Sequence, residues 1–428
     1  MIYLIIIFLL SFNCQKIESR DQTQFYKRLN ENVNFYCETG YINVDDVTKS
    51  ENKLFYHLFL KQGIESLEHI KKDDNFLLWI PGGPGSAAMK YAFKYTGPFK
   101  VKEGKLILWD YLINEFSHVL YIDMPFGSGF SYSTKKDVVN NTEEAANYIL
   151  QFMEIFLDSH KMFQMINFHV VGISYAGHFV PRIAKKIVNS NLDLNYRGVF
   201  IGGSWTEALS QYRNQATTLI SYGLIDQYRF DFIRKIEAIQ QNLMMEEKYY
   251  EAATSTIDIT FDLDFLEYFD PDNVYKHTND PNDNSYIQFL IGNKQQYGIP
   301  SNIAFNPSNF TILQAFYADT YMSYLSDIEL LLHKGKVMLY NGQFDYNISP
   351  AGVQIMINNI RNEIVQLWKK EKKNQFYYKD KSTQELMIGG TIKQYKNFAF
   401  AIVYQAGHLT QLDQPGSAYQ LLKQYLDF

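Results

Sequence analysis

Apolar positions along the chain keep two rhythms. Short β-branched and aromatic runs with polar turns between them read as strands, and apolar residues spaced three and four apart read as helices. Glu38–Val44 and Leu54–Leu60 predict an antiparallel hairpin at a sheet edge. Asn75–Ile80, Phe116–Asp123, Phe168–Ile173, Gly198–Gly203, Lys336–Tyr340 and Phe398–Tyr404 predict buried strands. Helical spacing appears at Ala145, Ile149, Phe152, Ile155 and Phe156 between Thr142 and His160. It recurs at Phe179, Ile183 and Ile187, with Pro181 in the first turns, and at Leu421, Leu422 and Leu426 in a closing helix. Strands alternating with helices imply an α/β class: a mostly parallel sheet with helices on both faces. From about Thr206 to Tyr324 the pattern turns irregular, with helical pieces near Tyr228–Met245 and Ala315–Leu332 and breakers at Asp270-Pro-Asp-Asn and Asp280-Pro-Asn-Asp-Asn. Because the sheet rhythm resumes afterwards, residues 206–324 are expected to form a largely helical cap inserted into one domain spanning 19–428.

The stretch from Asn167 to Pro181 carries the first candidate chemistry. Phe168–Ile173 is a strand, the helix follows at once, and Ser174 stands at the corner. Gly172 and Ala176, two before and two after it, are small enough for a strand to turn sharply without clashes, which is the steric logic of a nucleophile elbow. The plainer alternative is a serine that caps a helix. Pro81-Gly82-Gly83-Pro84-Gly85 follows the strand ending at Ile80. Its glycine pair lets backbone approach a bound group and frees an N–H, so it reads either as an oxyanion loop or as a tight turn. Asp345 and His408 each lie just past a predicted strand. Taken singly, Asp345 is more often a turn residue and His408 a satisfied loop histidine. In the chain order Ser174, Asp345, His408, at the ends of parallel strands, they form a candidate nucleophile–acid–base set.

Composition narrows the class. The chain has 428 residues, 46% of them hydrophobic, a formal charge of −6, 33 Tyr and 32 Phe. A large, mildly acidic globule with no basic stripe excludes nucleic acid as a partner. Residues 2–12 are apolar but too short to span a bilayer, which predicts a signal peptide over 1–18, entry into the secretory route and no membrane anchor after its removal. Of Cys14 and Cys37 only the second would survive cleavage, leaving no intramolecular disulfide. Sequons occur at Asn140, Asn309 and Asn347. No metal or other cofactor is expected, since neither His-Glu-x-x-His nor paired-cysteine spacing occurs.

The chain resembles the serine carboxypeptidases, an α/β-hydrolase family. The likeness runs through Thr39-Gly-Tyr41, Trp79-x-x-Gly-Gly-Pro-Gly85, Gly97-Pro98, Ile122-Asp-x-Pro125 with Gly129-Phe-Ser-Tyr-Ser133, Gly172-x-Ser-Tyr-Ala-Gly177, Tyr222-Gly-Leu-Ile-Asp226, Tyr340-Asn-Gly342, Ala406-Gly-His408 and Asp413-Gln-Pro415. The resemblance implies Ser174 as nucleophile, His408 as general base then acid, and Asp345 as the residue that orients it. It also implies Gly83 and Tyr175 as backbone oxyanion donors, with Gly82 in the same loop. The implied partner is a peptide that loses its C-terminal residue through an acyl-enzyme, in a secreted, lysosomal or vacuolar setting, with a homodimer left open.

Three positions depart from what the resemblance implies. The family's Asn before the glycine pair is Pro81, the Glu before the nucleophile is Ile173, and the Glu before Gly-Pro is Tyr95. In addition, Gln343 stands two before Asp345 in place of Asp, and Ser86 stands in place of a cysteine. Because the first three help bind the terminal carboxylate in the family, two alternatives stay open: a hydrolase or acyltransferase of the same fold that does not read the carboxylate, and a non-catalytic secreted binding protein. Without the paired carboxylates, the family's acidic pH preference is expected to soften.

Overall fold

The computed structural model describes residues 17–44, 51–134, 138–255, 270–276 and 284–428. The predicted leader falls outside this range as far as residue 16, as do Cys14 and most of the Asp280 breaker. The strands are β1 (Ile17–Asp21), β2 (Cys37–Asn43), β3 (Asn52–Phe59), β4 (Asn75–Ile80), β5 (Phe99–Lys102), β6 (Lys105–Leu108) and β7 (Ser117–Ile122). They continue with β8 (Tyr132–Ser133), β9 (Asn167–Ile173), β10 (Asn195–Gly202), β11 (Lys336–Gly342), β12 (Asn374–Lys379), β13 (Leu386–Tyr395) and β14 (Phe398–Val403). All but the β5–β6 hairpin join one 12-stranded sheet in the order β1-β2-β3-β7-β4-β9-β10-β11-β14-β13-β12, with β8 beside β3. The block from β7 to β14 is parallel, and antiparallel strands close both edges. The predicted hairpin is β2–β3, but β1 lies outside it, so β2 is not the edge.

The central strands are apolar throughout because each covers two cores. Leu78, Ile80 and Val170 face one cluster with Phe152 and Phe156 of the helix Thr142–Ser159 and Phe179 and Ile183 of the helix Ala176–Val188. Leu77, Trp79, Val171 and Ile173 face the other, with Met338, Tyr340 and, from the helix Pro415–Asp427, Leu421 and Tyr425. Asn141 caps the first of these helices, its side chain accepting from Glu144 N at 2.8 Å.

Pro181 sits in the interior of its helix rather than in the first turns. The carbonyl left without a partner by its missing N–H, that of Gly177, instead accepts from Thr206 Oγ1 at 3.1 Å. The helix predicted over Ala315–Leu332 is divided into Tyr317–Thr320 and Leu325–Leu331. Between them Tyr324 N donates to Thr206 O, and Ser323 bridges Glu207, so the backbone is tied to the start of the insertion instead of to its own turn. Between β10 and β11 the described elements are helices, among them Gln227–Met245.

Candidate active site

The carboxyl ends of β4, β9, β11 and β14 lie along one edge of the sheet and bring the candidate residues together. Ser174 follows β9 directly, with φ 69, a left-handed conformation that costs a residue with a Cβ about 1–2 kcal/mol. The fold imposes it: Ser174 N donates to Gly202 O at 2.9 Å, and Ser174 O accepts from Gly177 N and Trp205 N at 2.9 and 3.1 Å. The small residues flanking the corner serve as the sequence suggests, since a Cβ at Gly172 would lie 2.6 Å from that of Ala176. The serine is half-buried amid buried neighbours, so its hydroxyl is open to solvent.

The glycine loop after β4 packs against this corner. A Cβ at Gly82 would fall 2.7 Å from Ser174 Cβ and 3.1 Å from Tyr175 N, so only glycine lets the loop come this close. The Gly82 N–H is directed at the Tyr91 hydroxyl. Gly83 is exposed, and no described acceptor takes the N–H of Gly83 or Tyr175. Two unengaged amides beside an accessible hydroxyl are what an oxyanion site requires.

Asp345 and His408 meet directly: His408 Nδ1 lies 2.9 Å from Asp345 Oδ2, with both side chains buried. Asp345 Oδ1 accepts from Ile348 N at 2.9 Å, and Asn341 Nδ2 reaches Oδ2 at 3.3 Å, which fixes the carboxylate. Burial works against a charged imidazole, but the Asp345 carboxylate, with Asp272 adding to it, holds His408 above the ordinary histidine range. Gly203, which follows the Gly202 that holds Ser174 N, passes against this pair, and a Cβ there would be 3.1 Å from both Asp345 Oδ2 and His408 Nδ1. Ser174 and the His408–Asp345 pair are thus each packed against the carboxyl end of β10. Ser174 Oγ makes no hydrogen bond to His408 or to any other described residue.

Several participants carried no sequence signal. Asp319 anchors the residue after Ser174: its Oδ2 accepts from Tyr175 OH and Thr142 Oγ1, both at 2.5 Å, and its Oδ1 from Tyr324 OH at 2.7 Å. Burial alone would raise this carboxyl, but His178 beside it and these hydroxyl donors bring it down to about 2. Asp272, read only as part of a breaker, lies against the histidine, with its carbonyl accepting from His408 N at 2.5 Å. The Gly202–Gly203 pair could have been noticed as a doubled glycine at a strand end. Pro81, Ile173 and Tyr95 are buried and offer no charge.

A family model described as serine carboxypeptidase matches residues 28–427. The chain belongs to the serine carboxypeptidase family. It is 25% identical over 409 residues to serine carboxypeptidase S10 family member 1 of Dictyostelium discoideum, covering 91% of this chain and 93% of that protein. It is likewise 25% identical over 411 residues to a serine carboxypeptidase-like protein of Oryza sativa subsp. japonica, covering 87% and 89%. Among solved structures, a prohormone-processing carboxypeptidase from Saccharomyces cerevisiae superposes with a TM-score of 0.79 at 20% identity, over 93% of this chain and 92% of that one. This serine carboxypeptidase family member therefore has the α/β-hydrolase fold.

Proposed function

We propose that the protein hydrolyses the C-terminal bond of peptides through an acyl-enzyme on Ser174. The single observation that carries this reading is the Ser174 elbow, strained and accessible, beside a buried His408–Asp345 pair at 2.9 Å. In the reaction, His408 Nε2 takes the Ser174 proton as Oγ attacks the scissile carbonyl, whose oxygen moves toward the N–H groups of Gly83 and Tyr175. Asp345 holds Nδ1–H, so the base lone pair faces the serine and the imidazolium that forms is stabilised. The proton then passes from His408 to the leaving amine, and water repeats the sequence to release the acyl group. Segment 206–324 shapes the cleft as an insertion within one domain, and the apolar leader directs the chain to the secretory route.

The test combines a fluorophosphonate with end-group analysis. The wild-type protein is expected to be labelled on Ser174 and to release single C-terminal residues from a peptide library, with both lost in Ser174→Ala. Absence of label on the folded protein defeats the reading.

A further inference from the structure

Two bonds fix the peptide unit between Ser174 and Tyr175, and both act on its carbonyl: Ser174 O accepts from Gly177 N at 2.9 Å and from Trp205 N at 3.1 Å. That peptide is trans and planar, so its N–H points the opposite way from its C=O. Whatever holds Ser174 O therefore aims the Tyr175 N–H. The glycine loop comes up to that nitrogen, since a Cβ at Gly82 would lie 3.1 Å from it. The aim has to be imposed by neighbours, because Ser174 at φ 69 is relieved of strain if its backbone turns back to an ordinary region.

Beyond the local Gly177 bond, the groups that hold this peptide lead to one short stretch of the insertion. Trp205, whose backbone N donates to Ser174 O, donates through Nε1 to Thr320 O at 2.8 Å. Tyr175 OH donates to Asp319 Oδ2 at 2.5 Å. Asp319 is itself held from several directions. Its Oδ2 also accepts from Thr142 Oγ1 at 2.5 Å, and its Oδ1 accepts from Thr142 N at 3.0 Å and Tyr324 OH at 2.7 Å, so each oxygen has two donors. The Thr142 bonds tie it to the first residue of the helix Thr142–Ser159. The fully buried His178 ring packs against both tyrosines, its centroid 4.7 Å from that of Tyr175 and 4.6 Å from that of Tyr324. A buried carboxylate with four donors is stiff, because breaking any one bond strands a buried polar group. At 2% exposure Asp319 is out of reach of a substrate.

We propose that Asp319 is a positioning residue for the reaction: with the Thr320 carbonyl it holds Tyr175 and Trp205 so that the Tyr175 N–H stays aimed at the oxygen of the attacked carbonyl. This rests on the acyl transfer proposed above and goes beyond it, because it makes the last turns of the insertion part of the oxyanion site. The insertion then acts on the transition state and not only on which substrate enters the cleft.

The test separates transition-state stabilisation from binding and from folding. Asp319→Asn keeps the side-chain shape but turns one carboxylate oxygen into an amide donor, so two of its four bonds are lost or reversed. Tyr175→Phe and Trp205→Phe each remove one side-chain donor and leave the backbone groups in place. Active protein is counted by the final extent of fluorophosphonate labelling, so misfolded material drops out. The probes are an N-acetylated tetrapeptide substrate ending in phenylalanine and a peptide boronic acid. Boron takes the Ser174 oxygen while its proton passes to His408, which leaves an anionic adduct shaped like the tetrahedral intermediate. In Asp319→Asn, kcat and boronate affinity should fall together by about 10–100-fold, less than the loss of a whole donor, while KM stays within about twofold. By calorimetry the tetrapeptide should bind Ser174→Ala equally well with and without Asp319→Asn. Tyr175→Phe alone should lower kcat severalfold and add nothing in the Asp319→Asn background. Unchanged kcat and boronate affinity in Asp319→Asn overturn the proposal. So does a loss that falls on KM and on the calorimetric Kd, which would make the insertion a binding element alone. If Asp319→Asn does not fold, Tyr175→Phe and Trp205→Phe decide by the same readouts. A labelled wild type with unaffected variants sinks the positioning role alone, whereas an unlabelled wild type sinks the reaction and the positioning role with it.

Discussion

Ser174 at φ 69 makes a prediction that needs no substrate. Replacing it with glycine removes the clash between Cβ and backbone that the left-handed conformation creates, worth about 1–2 kcal/mol. Glycine's greater freedom in the unfolded chain returns about 0.5–1 kcal/mol of that. Ser174→Ala is the matched control, because it loses the hydroxyl yet keeps the Cβ and the strain. Both variants should be inactive, and Ser174→Gly should be more stable than Ser174→Ala by about 0.5–1 kcal/mol. For a chain this long, with an unfolding entropy of roughly 2 cal/mol/K per residue, that amounts to about 1 °C in Tm. Scanning calorimetry on the two proteins under identical conditions resolves such a difference. Equal midpoints, or a lower one for glycine, would mean that the corner is relaxed. The hydrogen bond from Ser174 N to Gly202 and those from Gly177 and Trp205 to Ser174 O would then not be holding the serine against its backbone preference.

The other expectations concern the histidine, its glycine and the surface. His408 must be neutral to accept the serine proton, so kcat/KM should rise with pH through its raised titration. In Asp272→Asn that limb should move to lower pH by roughly 0.7 unit, since a unit charge across a half-solvated cleft is worth about 1 kcal/mol; a limb that does not move removes Asp272 from the site. By the same sign, the ion pair with Asp345 stabilises the fold below about pH 6.5, and that contribution is lost as pH rises through the folded-state value, which urea titrations at pH 6 and above pH 9 can compare. Gly203→Ala should lower kcat about 10–100-fold by pushing the His408–Asp345 pair apart, with KM little changed; unchanged kcat would show that the pair tolerates displacement. Among the sequons, Asn309 Nδ2 donates to Gly127 O and Asn347 Nδ2 to Asp272, whereas Asn140 is exposed and only its oxygen is engaged. In a secretory host, an endoglycosidase mobility shift should vanish in Asn140→Gln and persist in Asn309→Gln.

How much of this could be read from the chain depends on what each residue answers to. The central strands were legible because a strand buried on both faces must be apolar at every position, and Leu77 to Ile80 and Val170 to Ile173 obey that rule. The outer strands were not. β12 is exposed along most of its length, and β13 opens with exposed Leu386–Ile388 and then carries a glycine pair, so neither shows a buried rhythm. The split between Tyr317–Thr320 and Leu325–Leu331 was hidden because a contact distant in sequence, Tyr324 to Thr206, decides it. Ser174, Asp345 and His408 were visible because each lies just past the end of a strand. Asp319 and Asp272 answer only to tertiary neighbours, and nothing around them in sequence marks them.

The insertion and the chemistry are more closely joined than the word cap suggests. Asp413, seen in the sequence only as part of a short motif, accepts from Gly407 N at 2.7 Å and from Asn273 Nδ2 at 2.8 Å, and pairs with Lys276. One carboxylate therefore ties the loop carrying His408 to segment 270–276 of the insertion, and the Asp272 carbonyl adds a second tie at His408 N. The Asp272 charge in that segment also favours the protonated form of His408. A substitution that shifts it must act on the imidazole's position and on its proton affinity at once. Changes in leaving-residue preference and in the pH dependence of kcat/KM should consequently appear together in variants of 270–276, whereas a cap that merely fenced the cleft would change preference and leave the histidine's titration where it was.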